Sequence, residues 1–382
     1  MKLSQDFVRQ LPDSRHHFGR QQGLWQRLHV DPILLLILLA LTCFGLVVLY
    51  SASGQSESMV KRQFVFFSIA YCVMFVVAQL DMQMVRRWSP WLYVGGIILL
   101  VLVILIGVGA KGAQRWISLG VVRFQPSEAM KIAVPVMTAA YFSRRSLPPK
   151  FTDIVVSMII IILPAVLIFM QPDLGTAILI AASGIIVVFM AGLPWRYIFG
   201  SLAMICISIW PMWHWVMKDY QKQRVLTLLD PEADRLGAGW NIIQSKTAIG
   251  SGGLQGKGLF NGTQSQLDFL PESHTDFIIA VMAEELGLIG VIFLLSLYLL
   301  LIARGLYIAW TSQNTFNRLL AGSITLTFFV YVFVNIGMVA GMLPVVGVPL
   351  PLVSLGGTSI VTLMTSFGLL MAIATEKKKV VA

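Results

Sequence analysis

A few ionisable side chains stand where an apolar sequence tolerates them least. Asp276 opens an apolar run directly after a long polar stretch, residues 217–275. A carboxylate at the mouth of a cavity suits general-base work. As the first residue of a helix it would act only as an N-cap. Glu128 and Lys131 are three residues apart, share one helical face and can pair. Charges inside a membrane span are functional candidates by default, although an ion pair tying two helices together accounts for them equally well. Asp173, in Gln171-Pro-Asp-Leu-Gly-Thr176, reads first as an N-cap at a tight turn. Glu284 and Glu285 follow Asp276 by two turns and point to different faces, so structural pairing is the expectation for both. The polar stretch also supplies Arg224, Lys246 and Lys257.

The elements that position these residues are membrane helices. The chain has 382 residues, 57% hydrophobic and 12% charged. Soluble domains carry about 45–50% apolar and about 25% charged residues, so a soluble enzyme, a disordered chain and a disulfide scaffold are excluded. Cys43, Cys72 and Cys206 lie in apolar runs and are expected to be core residues. A span needs about 20 mostly apolar residues. Ten runs qualify: 32–51, 64–80, 91–109, 127–141, 154–170, 174–191, 197–216, 277–303, 319–342 and 359–374. The expected fold is an all-α polytopic membrane protein with one large loop between the seventh and eighth spans.

The net charge of +10 does not indicate nucleic-acid binding, because the basic residues lie between the apolar runs. They gather in the short loops on the side of the N-terminal segment, which the positive-inside rule makes cytoplasmic. The expected organisation is a cytoplasmic tail (1–30), helices 1–7 (31–216), a periplasmic loop (217–275), helices 8–10 (276–375) and a cytoplasmic tail (376–382). The first run is too long for a signal peptide and reads as an uncleaved anchor. The large loop contains Trp, Ile, Leu and Phe and amphipathic pieces such as residues 240–249, which argues against disorder and places the chemistry on the outer face.

Two glycine motifs invite nucleotide readings. Gly107-Val-Gly-Ala-Lys-Gly112 has the G-x-G-x-x-G form but ends a membrane span, without the βαβ context that dinucleotide binding requires. The run from Gly250 to Gly258 lacks P-loop spacing and is expected to be a flexible loop whose N–H groups could cradle a diphosphate. No His/Cys/Asp cluster has zinc spacing. The loop 341–358 is too rich in Pro and Gly to continue a helix. Irregular backbone at membrane depth is tolerated where it lines a cavity, so this loop is expected to be a cavity wall.

Several stretches together are specific: Lys111-Gly-Ala-Gln-Arg-Trp116, Arg123-Phe-Gln-Pro-Ser-Glu-Ala-Met-Lys131, Gln171-Pro-Asp-Leu-Gly-Thr176, Asp219-Tyr-Gln-Lys-Gln-Arg224, Ile249-Gly-Ser-Gly-Gly-Leu-Gln-Gly-Lys-Gly258 and Phe269-Leu-Pro-Glu-Ser-His-Thr-Asp-Phe277. From about Asp31 to Ala374 the chain resembles the SEDS family (shape, elongation, division, sporulation) of bacterial cell-wall polymerases, and most closely its elongation members. Leu355 departs from the pattern, since the family usually has an aromatic there. The resemblance implies a glycosyltransferase of the bacterial inner membrane, both termini cytoplasmic, with its active site facing the periplasm. Its substrate would be lipid II, a disaccharide-pentapeptide on undecaprenyl diphosphate, and its product β-1,4 glycan strands for cell elongation and rod shape. Its partner would be a class B penicillin-binding protein. The resemblance puts the family's essential acidic residue at Asp276 and its charged pair at Glu128 and Lys131.

Conversion of an α-linked diphosphate to a β-linked glycan requires inversion, with a base on the attacking hydroxyl and positive charge for the leaving diphosphate. Asp276 is the expected base. Lys131, Arg224, Lys246 and Lys257 are the candidate cations in that order, with Arg123, Gln125 and Asp173 as further substrate-binding candidates. A divalent cation (Mg or Mn) held by Asp276 is an alternative charge sink. A lipid II flippase or transporter is the competing reading, although the internal repeats typical of transporters are not visible.

Overall fold

The computed structural model describes residues 28–110, 113–118, 123–217, 219–234, 238–266 and 272–376. Most of the 1–30 tail and all but Glu376 of the 376–382 tail lie outside these residues.

Each expected apolar run is a helix, with edges set by caps and turns. They are α1 (Pro32–Ala52), α2 (Glu57–Ala78), α3 (Met82–Ile106), α4 (Pro126–Phe142), α5 (Phe151–Met170), α6 (Leu174–Met190) and α7 (Trp195–Pro211). After the large loop come α10 (Ile278–Thr311), α11 (Thr315–Val339) and α12 (Thr358–Thr375). Eight of these spans, all except α4 and α6, are long and apolar enough to cross a membrane, α7 together with the π-helical turn Met212–Val216 that carries the span to Trp215. The exceptions have 17 residues each, about 25 Å of helix at about 1.5 Å per residue. The chain is therefore an all-helical polytopic membrane protein.

Caps explain several starts. Asp31 accepts from Leu34 N at 2.9 Å, and Pro32 follows it in the first turn. The same carboxylate receives Arg304 Nε of α10 at 3.2 Å, tying two spans together at one end. Asp81 caps α3 through Gln83 N at 2.9 Å. We call the end that carries Asp31, Arg304 and Glu376 the terminal face, and the opposite end the loop face.

The loop face differs from the sequence expectation in three ways. First, a small antiparallel sheet follows α3: β1 (Val108–Ala110), β2 (Ala113–Ser118) and β3 (Arg123–Phe124), in the order β1–β2–β3. These strands are too short for their alternation to register beside the adjoining span. Second, the large loop is mostly helical, with α8 (Asp219–Leu229), a 3-10 turn at Pro231–Asp234 and α9 (Ala238–Gly252). The amphipathic piece 240–249 lies within α9.

Third, the glycine run is not a free cradle. α10 breaks at Gly287 (φ +65°, ψ −164°), and the segment after α9 docks into the break. Lys257 N donates to Glu284 O (3.0 Å), Gly258 N to Glu285 O (2.9 Å) and Leu288 N to Gly253 O (3.0 Å). A Cβ at Gly256 would lie 2.1 Å from Glu285 O, and one at Gly287 would lie 2.3 Å from Gly256 N. The glycines permit contact between two backbones. The N–H groups of Lys257 and Gly258 serve α10 and that of Gly256 serves Gly252 O, which corrects the diphosphate-cradle expectation for this run. The cysteines also differ from expectation: all three are unpaired and exposed on the surface of the bundle.

Candidate active site

A cavity of about 900 Å³ lies at the loop face. Its walls come from α2, α4, α6, α11, α12, the hairpin and residues 347–357, and it reaches to about the middle of α11 and α12. The Pro/Gly-rich loop is thus a cavity wall.

Gln125, Glu128, Lys131 and Asp173 line this cavity. Pro126 starts α4 in a position where its missing N–H costs nothing, which places Glu128 in the first turn. The helix dipole favours an acidic side chain there. Lys131 Nζ donates to Glu128 Oε1 at 2.6 Å and lies 5.2 Å from the centre of the Tyr331 ring. The other carboxylate oxygen, Oε2, is buried without a hydrogen-bond partner, as is Thr327 Oγ1 across the cavity.

Asp173 caps α6 through Thr176 N at 3.4 Å and faces Arg115 Nη1 at 3.6 Å. Arg115 Nη2 also donates to the carbonyl of Pro172. The hairpin is thereby pinned to the α5–α6 turn with its guanidinium at the cavity. Arg62 of α2 is a further cation in the lining.

Asp276 precedes α10 in a non-helical turn and is partly exposed; it is not itself among the residues lining the cavity but lies against the wall loop. Its Oδ2 lies 3.5 Å from the position a Cβ would take on Gly347, which lines the cavity. The turn is clamped to the wall loop. His274 O receives Leu355 N at 3.0 Å, Thr275 O receives Ser354 Oγ, and Asp276 O receives Asn335 Nδ2 at 2.9 Å.

The remaining candidates fall elsewhere. Arg224 on α8 and Lys246 on α9 are exposed, and neither lines the cavity. Lys246 packs over Gly341, where an added Cβ would meet its Cε at 2.3 Å. Lys257 is also outside the lining: its Nζ donates to Glu284 Oε1 at 2.7 Å and to Thr263 Oγ1 at 2.8 Å. Glu284 further receives Thr263 N at 2.8 Å, and Glu285 accepts from Ser51 Oγ. Both glutamates are paired structurally. The Arg123 side chain lies outside the described residues. No group of three or more His, Cys, Asp or Glu that could hold a metal occurs among the described residues. Mg is commonly held by one or two carboxylates together with substrate phosphates, so a cation at Asp276 would depend on the diphosphate for its other ligands.

The sequence does not single out Arg115 and Arg62 as site residues. Nor does it single out Thr327, Tyr331 and Asn335. These are spaced by four along α11 and so share one helix face. That spacing is a readable signal, but averaging hydropathy over a whole span erases it.

The chain matches the family model described as a cell cycle protein (FtsW, RodA, SpoVE) over residues 32–379. It is 54% identical over 358 residues to the peptidoglycan glycosyltransferase MrdB of Escherichia coli K12, covering 94% of this chain and 97% of that one. It is 37% identical over 361 residues to a probable peptidoglycan glycosyltransferase FtsW of Geobacter metallireducens, covering 91% and 95%. Among solved structures, a chain of a peptidoglycan synthase complex that coordinates polymerization and crosslinking aligns with a TM-score of 0.80 at 30% identity, covering 90% of this chain and 97% of that one. The rod shape determining protein RodA of Thermus thermophilus aligns at 0.70 and 27%, covering 91% and 98%. The chain belongs to the SEDS family.

Proposed function

We propose that this chain is the peptidoglycan glycosyltransferase of rod-shape elongation, polymerising lipid II into β-1,4 glycan strands with inversion at the anomeric carbon. The observation that carries the reading is the cavity of about 900 Å³, lined by Arg62, Arg115 and Lys131 together with Glu128 and Asp173, with the Asp276 turn bonded to its wall. Asp276 takes the proton from the acceptor's sugar 4-hydroxyl. The hydroxyl oxygen attacks C1 of the donor from the face opposite the diphosphate. The C1–O bond breaks, and undecaprenyl diphosphate leaves with the electron pair. Lys131, Arg115 and Arg62 supply positive charge along the cavity, where fixed charges act on a leaving diphosphate without reorganising. Glu128 holds Lys131 toward the cavity.

The working assembly is a synthase with a class B penicillin-binding protein that cross-links the peptides. It sits in the bacterial inner membrane, with the loop face periplasmic and the terminal face cytoplasmic. The relative solved in a peptidoglycan synthase complex supports this assembly. The test is labelled lipid II in detergent with the purified pair. A polymer ladder that lysozyme digests supports β-1,4 polymerisation. A folded pair that makes no ladder but flips lipid II in liposomes would overturn it in favour of the transporter.

A further inference from the structure

Two buried asparagines occupy opposite ends of α11. Asn317, near the terminal face, donates to Glu376. Asn335, in the last turns at the loop face, is wholly buried, and its Nδ2 donates twice. One bond goes to the carbonyl of Asp276 at 2.9 Å and the other to the carbonyl of Val348 at 2.7 Å. One amide therefore holds both Asp276 and the wall segment beside it. Asp276 Oδ2 lies against that same segment, 3.5 Å from where a Cβ of Gly347 would stand.

The surrounding bonds fix the rest of this frame. Ser354 Oγ accepts from Leu350 N at 2.9 Å and donates to Thr275 O. Gln63 of α2 donates through Nε2 to Ser354 O at 3.1 Å, and its Oε1 accepts from Gly356 N at 3.3 Å. These bonds hold the wall and the residue before Asp276. Asn335 reaches Asp276 itself. Within the turn Glu272 O accepts from Thr275 N and Phe277 N, whereas the carbonyls of His274, Thr275 and Asp276 are met from outside by Leu355 N, Ser354 Oγ and Asn335 Nδ2.

From this arrangement we infer that Asn335 is a positioning residue for polymerisation, holding the Asp276 carboxylate against the Gly347–Val348 wall at the place of attack. The inference rests on Asp276 acting as the base. A carboxylate displaced by about 1 Å from its productive place loses about 100-fold in rate. Substrate binding along the cavity, which does not use the Asp276 carbonyl, is retained. Loss of Asn335 therefore falls on kcat rather than KM. Asn317 is the internal control, a buried amide on the same helix that holds no part of the cavity.

The experiment measures lipid II polymerisation by the full chain with its penicillin-binding partner, taking kcat, KM and Tm for wild type, Asp276→Ala, Asn335→Leu and Asn317→Leu. The expected result for Asn335→Leu is kcat lower by about 50-fold or more with KM within about 3-fold of wild type. Both leucine variants lower Tm, by similar amounts, since each removes a buried amide, while kcat of Asn317→Leu stays within about 2-fold. If Asn335→Leu does not fold, Asn335→Ser is measured in its place and must show the same split. A wild-type kcat in the folded Asn335 variant, an equal rise in KM, or an equal kcat loss in Asn317→Leu would overturn the positioning role while leaving an inactive Asp276→Ala as support for the base. A fully active Asp276→Ala removes the base itself, and the positioning role with it.

Discussion

α7 and α11 are both apolar enough to cross a membrane, yet they have opposite relations to the rest of the molecule. Among the described residues, none in the apolar window of Trp195–Trp215 is buried, whereas more than half of that in α11 is. α7 exposes Trp195 and Phe199 near one end and Trp210 and Trp215 near the other, the placement of aromatic belts at membrane interfaces. α11 packs through small and polar residues. Ser323 Oγ reaches the carbonyl of Ser183 on α6 at 2.8 Å, Thr325 packs against Gly305 of α10, and Asn335 binds the cavity frame. Apolar content marks a span. The small and polar residues determine which neighbours it takes, while Thr327 and Tyr331 are the polar residues of α11 that line the cavity.

Substitutions on the packed and unpacked sides test that contrast. The largest effect is expected from Gly45→Val on α1. An added Cβ there would meet the carbonyl oxygen of Leu352 at 2.6 Å and Val353 Cα at 3.0 Å, both backbone of the cavity wall. Overpacking against backbone should cost about 3 kcal/mol or more, seen as a large drop in Tm and loss of polymerisation. Gly200→Val on α7, where nothing lies within 4 Å, should change neither. Equal effects at the two sites would break the comparison.

Arg115→Gln is next. Losing a charge-assisted bond from Arg115 to the bound diphosphate costs about 1.5–3 kcal/mol, so the KM for lipid II should rise about 10- to 100-fold; an unchanged KM would take Arg115 out of substrate binding. Thr327→Val removes a buried hydroxyl that has no hydrogen-bond partner. Such a change is close to neutral or stabilising by about 1 kcal/mol, so Tm should hold or rise, and a falling Tm would show that the hydroxyl is engaged. The smallest effect is expected from Lys246→Gln, because Lys246 does not line the cavity. Polymerisation should stay within about 2-fold, since isolated surface charges contribute about 0–1 kcal/mol. A larger loss would draw α9 into the site.

The helices were readable because apolar runs of span length have few other outcomes. Their edges were less so. Residues 57–63 of α2 are largely polar and fall below any hydropathy threshold, although the helix continues through them. The break in α10 was hidden because Gly287 takes its conformation from contact with Gly256, remote in sequence. That contact also turned a glycine run expected to be flexible into a docked segment. At the site, Glu128 and Lys131 were legible from their i,i+3 spacing and Asp276 from its position at the end of the loop. Arg115 was hidden in a hairpin that sequence read as the end of a span. Arg224, Lys246 and Lys257 were chosen for charge alone, and charge does not specify which way a loop folds.

The central claim is that Asp276 supplies the base for glycan polymerisation. Asp276→Asn keeps the shape of the side chain and the backbone bond to Asn335 but removes the basic oxygen. The direct measurement is the initial rate of lipid II polymerisation by wild type and Asp276→Asn, each with its penicillin-binding partner and matched by thermal melting. The account predicts a rate about 100- to 10,000-fold lower for the variant with an unchanged melt. A folded variant polymerising at the wild-type rate would contradict it.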